Sequence, residues 1–162
     1  MRKILIFGNS GSGKSTLAKK LCKSGKLAHL DLDVLAWQLS TPPKRKPLKE
    51  SAQEIEKFIN SHSSWVIEGC YTDLLEIAAP QSNEAIFMNL TLDACIANAN
   101  NRPWEPHKYN SKELQDSNLG MLTEWIAQYK ERDDTFSATS HFDFFDKYSG
   151  SKKMVTRNEP HT

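Results

Sequence analysis

The chain has 162 residues, of which 38% are hydrophobic, and its 21 basic and 20 acidic side chains leave a formal net charge of +1 at pH 7. This length predicts one domain over 1–162 with a substantial core, and the charge balance excludes a global field that would attract nucleic acid or an anionic membrane surface. A charged ligand must therefore be held by a local site, and we expect that ligand to be a small molecule.

The cysteines and the apolar runs exclude further classes. Cys22, Cys70 and Cys95 are odd in number and form no C-x-x-C pair, which argues against a disulfide framework and against a zinc site. No stretch approaches the ~20 apolar residues that span a bilayer, and the run 4–7 is too short for a signal sequence. We expect a cytoplasmic protein with no membrane partner, either a monomer or a small homo-oligomer.

Strand and helix patterns alternate along the chain. Residues 3–8 form a short apolar run ending in glycine, typical of a strand covered on both faces, and from Lys14 apolar residues recur at helical spacing until Gly25. The alternation predicts βαβ units and a parallel sheet. In chain order the later predicted elements are a strand at 27–31, a proline-rich loop at 40–47, a helix at 48–60, a strand at 65–67, a helix at 74–79, a strand at 85–90, a helix at 92–100, a proline-rich loop at 102–110, a long helix at 114–132, a helix at 142–148 and a strand at 153–157.

The first strand runs into the sequence "GNSGSGKST", residues 8–16. Gly8, Gly13, Lys14 and Ser15 satisfy G-x-x-x-x-G-K-[ST], with the strand before and the helix after that this motif requires. Backbone N–H groups and the positive end of the helix would cradle the inner phosphates of a nucleotide, Lys14 would reach the outer phosphates, and Ser15 would ligate Mg²⁺. We predict that the nucleotide is bound by Gly8, Asn9, Ser10, Gly11, Ser12, Gly13, Lys14, Ser15 and Thr16. The alternative is a turn that merely joins strand to helix.

Three carboxylates stand at predicted strand ends: Asp31, Asp33 and Glu68. Ligands of parallel sheets lie beyond the carboxyl ends of the strands, so all three should face the phosphate loop. Asp31 and Asp33 would point to one side of an extended chain, where one can hold metal-bound water while the other meets an acceptor hydroxyl. The alternatives are that the aspartates are turn residues or helix caps, and that Glu68 forms a structural ion pair.

The chain resembles the small P-loop kinases of the shikimate kinase and adenylate kinase group, and the bacterial proteins labelled shikimate-kinase-like or AAA-family ATPase. The stretch "GNSGSGKST" is similar to their phosphate loop, "HLDLDVL" resembles the D-x-D of shikimate kinases, and "NNRPWEP" resembles the Arg-Pro that opens their lid. The resemblance implies a three-layer α/β P-loop NTPase fold, with a five-stranded parallel sheet of order 2-3-1-4-5, helices on both faces and a short lid. It also implies ATP and Mg²⁺ as cofactors.

The resemblance further implies a role for individual residues. An acceptor-binding insert would span about 34–64 and the lid about 102–110. The implied catalytic residues are Lys14, Asp33 as the acceptor-binding base, and Arg102, which would close on the transferred phosphoryl group. The implied metal residues are Ser15, Asp31 and Glu68, and the implied substrate-binding residues are Asp33, Gly69 and Arg132.

Two departures leave the acceptor open. Shikimate kinases receive their acceptor on a run of glycines where this chain has "EGCYTD", and Asn98, Asn100 and Asn101 fill the region where a second cation is expected. The sequence therefore predicts phosphoryl transfer to an unspecified small molecule. One alternative is an ATPase or nucleotide-sensing switch in which Glu68 orients water. Another is a nucleic-acid end kinase using the "KRK" of 44–46 as a phosphate clamp, against which the near-neutral charge counts.

Overall fold

A parallel sheet of five strands forms the centre of the computed structural model, which describes residues 1–38 and 44–158. The described residues form seven strands, five of them in this sheet in the spatial order β2-β5-β1-β6-β7. Counted in chain order within the sheet, that arrangement is 2-3-1-4-5, so the predicted fold class is confirmed. The strands are β1 (Lys3–Gly8), β2 (Ala28–Asp31), β3 (Trp37–Gln38), β4 (Lys44–Arg45), β5 (Trp65–Gly69), β6 (Glu84–Met88) and β7 (Ser151–Val155).

Helices cover both faces of the sheet and create two cores. One core joins Ile4 and Ile6 of β1 to Ile126, and the other joins Leu5 and Phe7 to Phe144. Because neighbouring residues of β1 point to opposite faces, this apolar strand supplies both cores at once. The helices are α1 (Lys14–Gly25), α2 (Asp33–Ala36), α3 (Leu48–Ser61), α4 (Thr72–Ala78), α5 (Leu92–Asn100), α6 (Lys112–Ser117), α7 (Leu119–Ala127) and α8 (Ala138–Lys147), with a short 3₁₀ helix at Ala79–Gln81.

The register of the sheet places the predicted carboxylates together. Asp31 at the end of β2 lies opposite Glu68 of β5, and Glu68 lies opposite Ile6 of β1. The strands are parallel, so their carboxyl ends meet at one edge of the sheet, beside the turn from β1 into α1.

The predicted helix at 114–132 is wrong as a single element. The structure has α6 and α7, separated at Asn118, whose N–H donates to both Leu114 O at 3.3 Å and Gln115 O at 3.1 Å. The second helix ends at Ala127, well before the predicted end, where the Gln128 N–H donates to Trp125 O at 3.2 Å, three residues back, and Arg132 Nη1 donates to the same carbonyl at 2.7 Å. The apolar stripe in the sequence continues across the break and cannot reveal it.

Other boundaries differ by smaller amounts. Ser137 caps α8 by accepting from the Ser140 N–H at 3.1 Å, so this helix begins four residues before the predicted 142. The predicted loop 40–47 contains β4, which pairs antiparallel with β3, while its residues 40–43 lie outside the described residues. In the described part of the chain no helix combines the length and the apolar composition needed to cross a membrane.

Candidate active site

The turn from β1 into α1 is shaped by glycines in the left-handed region. Gly11 has φ 78° and Gly13 has φ 91°, a conformation that costs glycine little and other residues more. A Cβ on Gly11 would lie 2.2 Å from Cys95 O of α5, so the loop packs directly against that helix. Gly13 is the N-cap of α1 and supplies no side-chain acceptor. The first N–H groups of α1 are therefore available to an anion.

Lys14 and Ser15, the first residues of α1, point to different parts of the site. Lys14 Nζ donates to Asn9 O at 2.8 Å, so the lysine folds back across the loop. Ser15 Oγ donates to Glu68 Oε2 at 2.9 Å. The ammonium group of Lys14 and the hydroxyl of Ser15 thus flank the N-terminus of α1, one over the loop and one toward the end of β5.

Two asparagines brace the outer side of the phosphate loop. Asn98 Nδ2 of α5 donates to Gly11 O at 2.8 Å, and Asn158 Nδ2 donates to Ser12 O at 3.1 Å. The two side chains also bond to each other, Asn98 Nδ2 to Asn158 Oδ1 at 2.7 Å. Asn98, noted in the sequence as standing where a cation was expected, thus holds the loop by neutral hydrogen bonds.

Glu68 is a buried carboxylate with a second carboxylate beside it. Its side chain is 2% exposed and it lies opposite Asp31 in the sheet register. Burial and the charge of Asp31 raise the pKa of Glu68 to about 8, and the charge of Lys14 and the hydrogen bond from Ser15 oppose that shift only in part. A cation close to Glu68 and Asp31 would relieve both effects.

Magnesium fits this group of residues. Among the described residues no cluster of three or more His, Cys, Asp and Glu side chains could hold a metal ion alone. Mg²⁺ does not need such a cage, because it usually takes one or two carboxylates and completes its shell with water and substrate phosphates. The hydroxyl of Ser15 and the carboxylates of Glu68 and Asp31 could supply the protein's share of that shell.

Asp33 is the first residue of α2, immediately after β2. The chain turns at Leu32 instead of staying extended, and the Asp33 N–H donates to Asp31 Oδ1 at 2.9 Å. Asp33 Oδ1 accepts a short hydrogen bond from the Tyr71 hydroxyl, and Asp33 Oδ2 accepts from Lys108 Nζ at 2.8 Å. Both oxygens of this carboxylate are therefore held by donors from distant parts of the chain.

Lys108 was missed by sequence reasoning, yet its ammonium group bridges the two aspartates. Nζ lies 2.8 Å from Asp33 Oδ2, 3.3 Å from Asp31 Oδ2 and 3.5 Å from Glu105 Oε2. Burial opposes the charge of Lys108, but the charges of Asp33, Asp31 and Glu105 outweigh it and raise its pKa. Conversely, although burial opposes ionisation of Asp33, Lys108 lowers the pKa of Asp33 by its charge and hydrogen bond. No local pattern distinguishes Lys108 from the other lysines in the sequence.

An aromatic group extends the site from Asp33 toward α4. The Tyr71 hydroxyl, which donates to Asp33, accepts from Trp37 Nε1 at 2.8 Å. The Arg45 guanidinium carbon lies 4.9 Å from the centroid of the Tyr71 ring and 5.9 Å from that of Trp37, and Arg45 pairs with Asp73 at 3.1 Å. The "KRK" stretch therefore contributes one arginine that packs against the site.

Three further predicted site residues are Arg102, Arg132 and Gly69, and the two arginines make their contacts away from the carboxylates. Arg102 Nη1 lies 3.2 Å from Glu105 Oε1, within loop 102–110. The guanidinium carbon of Arg132 lies 4.0 Å from the centroid of the Trp125 ring, at the end of α7. Gly69 ends β5 beside Glu68, where a Cβ would come within 2.9 Å of Leu32 Cβ. The structure thus brings together Ser15, Asp31, Asp33 and Glu68, with Lys14 alongside, but not the two arginines.

A cleft of about 350 Å³ opens beside Ser15 and Asp31, at the free edge of β2. Its walls combine α1, β2, α2 and loop 102–110. The lining residues are Ser15, Lys19, His29, Leu30, Asp31, Val34 and His107.

The sequence matches no protein-family model and no curated protein. Solved structures do match its fold. A sugar kinase from Janibacter sp. HTCC2649 is 12% identical with a TM-score of 0.58, covering 99% of this chain and 87% of that chain. A shikimate kinase from Bacteroides thetaiotaomicron is 17% identical with a TM-score of 0.51, covering 78% and 76%. A gluconokinase from Sinorhizobium meliloti 1021 is 14% identical with a TM-score of 0.50, covering 97% and 84%.

These structural neighbours are kinases of the group that the sequence motifs resemble. At such low identities the likeness shows the fold, and the chain has the fold of the small P-loop kinases. The predicted resemblance is confirmed at that level.

Proposed function

We propose that this protein is a kinase that uses Mg²⁺ and ATP to phosphorylate a small-molecule acceptor. The observation that carries the proposal is the convergence, at one edge of the sheet, of the open N-terminus of α1 with Ser15, Glu68, Asp31 and Asp33. A phosphate cradle alone would suit any nucleotide-binding protein. The carboxylates beside it supply what phosphoryl transfer needs in addition, a metal site and a proton acceptor.

The nucleotide would lie along residues 8–16. The backbone N–H groups of the loop and of the first turn of α1 would bind the phosphates, and Lys14 would leave Asn9 O to reach the outermost phosphate. Ser15, Asp31 and Glu68 would hold Mg²⁺. When bound, the metal would neutralise charge on the phosphate oxygens.

Asp33 would be the proton acceptor. The oxygen of an acceptor hydroxyl would bond to the terminal phosphorus, its proton would pass to the Asp33 carboxylate, and the bond to the bridging oxygen would break to release ADP. Gly69 would contact the acceptor, together with the insert 34–64, part of which lies outside the described residues. Arg132 would contact it only by leaving the Trp125 ring and carbonyl that hold it at the end of α7.

Loop 102–110, which we call the lid loop, would exclude water from the site. Exclusion is required because water would otherwise receive the phosphoryl group. Arg102 now pairs with Glu105 at 3.2 Å, so it would have to leave that carboxylate to contact the transferred phosphoryl group. We also propose a cytoplasmic location, in keeping with the use of ATP and with three free cysteines.

The test is ADP release from Mg·ATP by the purified chain, measured with a library of sugars, sugar acids, shikimate, nucleosides and nucleoside monophosphates. We expect slow release without acceptor and much faster release with the right one. Release that no acceptor changes would favour the ATPase or nucleotide-sensing switch. The absence of any melting-temperature shift with millimolar Mg·nucleotide would contradict nucleotide binding and with it the proposal.

A further inference from the structure

We propose that Lys108 is a positioning residue for Asp33. When the lid loop packs against the site, Lys108 orients the Asp33 carboxylate for its role as proton acceptor. The inference rests on the proposed function and deepens it. The resemblance implies that Arg102 closes on the transferred phosphoryl group, whereas Lys108, from the same lid loop, has a different part, the orientation of the proton acceptor.

The first observation is that Asp33 is held at both oxygens. The donor to Oδ1 is the hydroxyl of Tyr71, a buried residue directly before α4, and the donor to Oδ2 is Lys108 Nζ at 2.8 Å. A carboxylate oxygen has two acceptor positions, so each oxygen retains one for an acceptor hydroxyl. Tyr71 belongs to the body of the protein, whereas Lys108 belongs to the lid loop. Both oxygens of the Asp33 carboxylate are therefore held only while the lid loop packs against the site.

The second observation is that Lys108 is itself held in place, by three carboxylates. Its ammonium group also lies 3.3 Å from Asp31 Oδ2 and 3.5 Å from Glu105 Oε2, and the side chain is 18% exposed. Three carboxylates around one ammonium group offset the cost of burying its charge. A lysine on a flexible surface loop would show neither the burial nor the shared partners.

The third observation is that the lid loop has internal bonds that set the position of Lys108. The Glu105 N–H donates to Gln115 Oε1 at 2.8 Å, and Gln115 Nε2 donates to Pro103 O at 3.0 Å. The Lys108 N–H donates to Glu105 O at 3.0 Å. These bonds place Lys108 in an ordered turn that is hydrogen-bonded to α6.

Arg102 supports this arrangement from behind. Its Nη1 pairs with Glu105 Oε1, while the other oxygen, Oε2, faces Lys108. One carboxylate thus links the two cations of the lid loop. In this arrangement Lys108 contacts the proton acceptor directly, and Arg102 fixes the carboxylate that orients Lys108.

The contact can be tested without a nucleotide or an acceptor. An amine-acylating reagent is applied to the intact chain and labelling is read at each lysine by mass spectrometry. We expect Lys108 to react several times more slowly than Lys112, whose side chain is 61% exposed, and Asp33→Asn to raise labelling at Lys108 while leaving Lys112 unchanged. Labelling of Lys108 that Asp33→Asn does not change would overturn the proposal.

The role in transfer is tested by ADP release from Mg·ATP with the acceptor found in the library. We expect Lys108→Met to lower kcat by about 10²-fold with the KM for ATP unchanged, a loss in the range of misplaced proton acceptors, and Lys108→Arg to restore part of it. In an Asp33→Asn background Lys108→Met should add little, because the two residues act as one unit. Lys112→Met, which removes only the exposed pair with Asp116, is the matched control.

The outcomes separate the two claims. Additive losses in the double variant, or a loss confined to the KM for ATP, would show that Lys108 acts elsewhere and would overturn its positioning role. If the wild-type chain phosphorylates no acceptor while Asp33→Asn still exposes Lys108, the proposed function fails and the role in transfer fails with it, but the contact stands. Melting temperatures of all variants exclude a trivial loss of fold.

Discussion

At the scale of single residues, the site depends on a few side chains whose local chemistry is set by burial and charge. Lys14 covers its own loop, Ser15 is bonded to Glu68, and Asp33 is held by Tyr71 and Lys108. Each contact can be removed by one substitution outside the main cores. Their effects on nucleotide binding and on transfer should therefore separate.

Lys14→Ala should lower turnover by about 10³-fold without unfolding the chain, since the ammonium group would stabilise charge on the transferred phosphoryl group. Lys14 Nζ donates to the loop carbonyl of Asn9 and not to a group of the helix among the described residues, so the helix should persist. ADP release and circular dichroism check both statements. Lys23→Ala, an exposed change in the last turn of the same helix, is the control, and equal turnover of the two variants would contradict the assignment.

Asp33→Asn should keep the affinity for Mg·ATP and lower kcat by about 10²- to 10⁴-fold, the range expected for loss of a general base. The amide is isosteric, and its one oxygen can still accept from the Tyr71 hydroxyl, while the neutral amide no longer pairs with the charge of Lys108. Nucleotide titration and ADP release with the identified acceptor measure the two effects. A nearly normal rate would move the base to another residue.

At the scale of elements, the phosphate loop of residues 8–16 joins β1 to α1 and packs against α5. Its left-handed glycines let the chain approach the Cys95 carbonyl, and its outer carbonyls are bonded by Asn98 and Asn158. The loop is therefore held from outside before any ligand arrives. Such preorganisation favours binding because little order has to be gained.

Gly11→Ala should lower the free energy of unfolding by roughly 2 kcal/mol or more, because a Cβ would lie 2.2 Å from Cys95 O and φ is 78°. Urea unfolding measures the change. Gly120→Ala in α7 is the matched control, since nothing lies within 4 Å of its Cβ position, and it should stabilise the chain by up to about 1 kcal/mol through helix propensity. Equal effects of the two substitutions would contradict the close approach.

At the scale of the whole molecule, a buried histidine connects the sheet with the helices behind it. His141 of α8 packs its ring near Phe7, its Nε2 donates to Cys70 O at 2.8 Å, and its Nδ1 accepts from the Tyr129 hydroxyl at 2.6 Å. Because a carbonyl can only accept, Nε2 carries a proton, and in the neutral ring Nδ1 is the acceptor for the Tyr129 hydroxyl. Burial lowers the pKa of His141 to about 4.

The stability of the whole chain should therefore fall on acidification. Below about pH 6.5 the histidine is protonated in the unfolded chain but stays neutral in the folded one. The free energy of unfolding therefore falls progressively between pH 6.5 and pH 4, by roughly 3 kcal/mol from this group. Unfolding by urea at pH 7 and pH 5 measures the fall. His141→Gln should reduce it, whereas the exposed His62→Gln should not, and an unchanged fall in His141→Gln would assign the acid sensitivity to other groups.

The sequence by itself determined the features that are local or periodic. The motif of residues 8–16, α1 at Lys14–Gly25 and the strand–helix alternation that predicts a parallel sheet all follow from patterns within a few turns of chain, whereas the strand order 2-3-1-4-5 was implied only by the family resemblance. Helix α1 ends where the sequence places its glycine, and the buried strand β1 has the predicted bounds. These are short-range consequences of apolar spacing and backbone freedom.

Only the tertiary structure decided which side chains from other segments join Asp31, Asp33 and Glu68, which the sequence predicts at the edge of the sheet. Lys108 reaches Asp33 across 75 positions and Tyr71 reaches it across 38, whereas Arg102, favoured by its motif, pairs within its own loop. At the break between α6 and α7, Asn118 Nδ2 likewise donates to a group outside both helices, the Tyr109 hydroxyl of the lid loop, at 3.0 Å. Contacts of this kind depend on the packing of separate elements, and a hydrogen bond or ion pair leaves no periodic trace in the sequence from which its partner could be read.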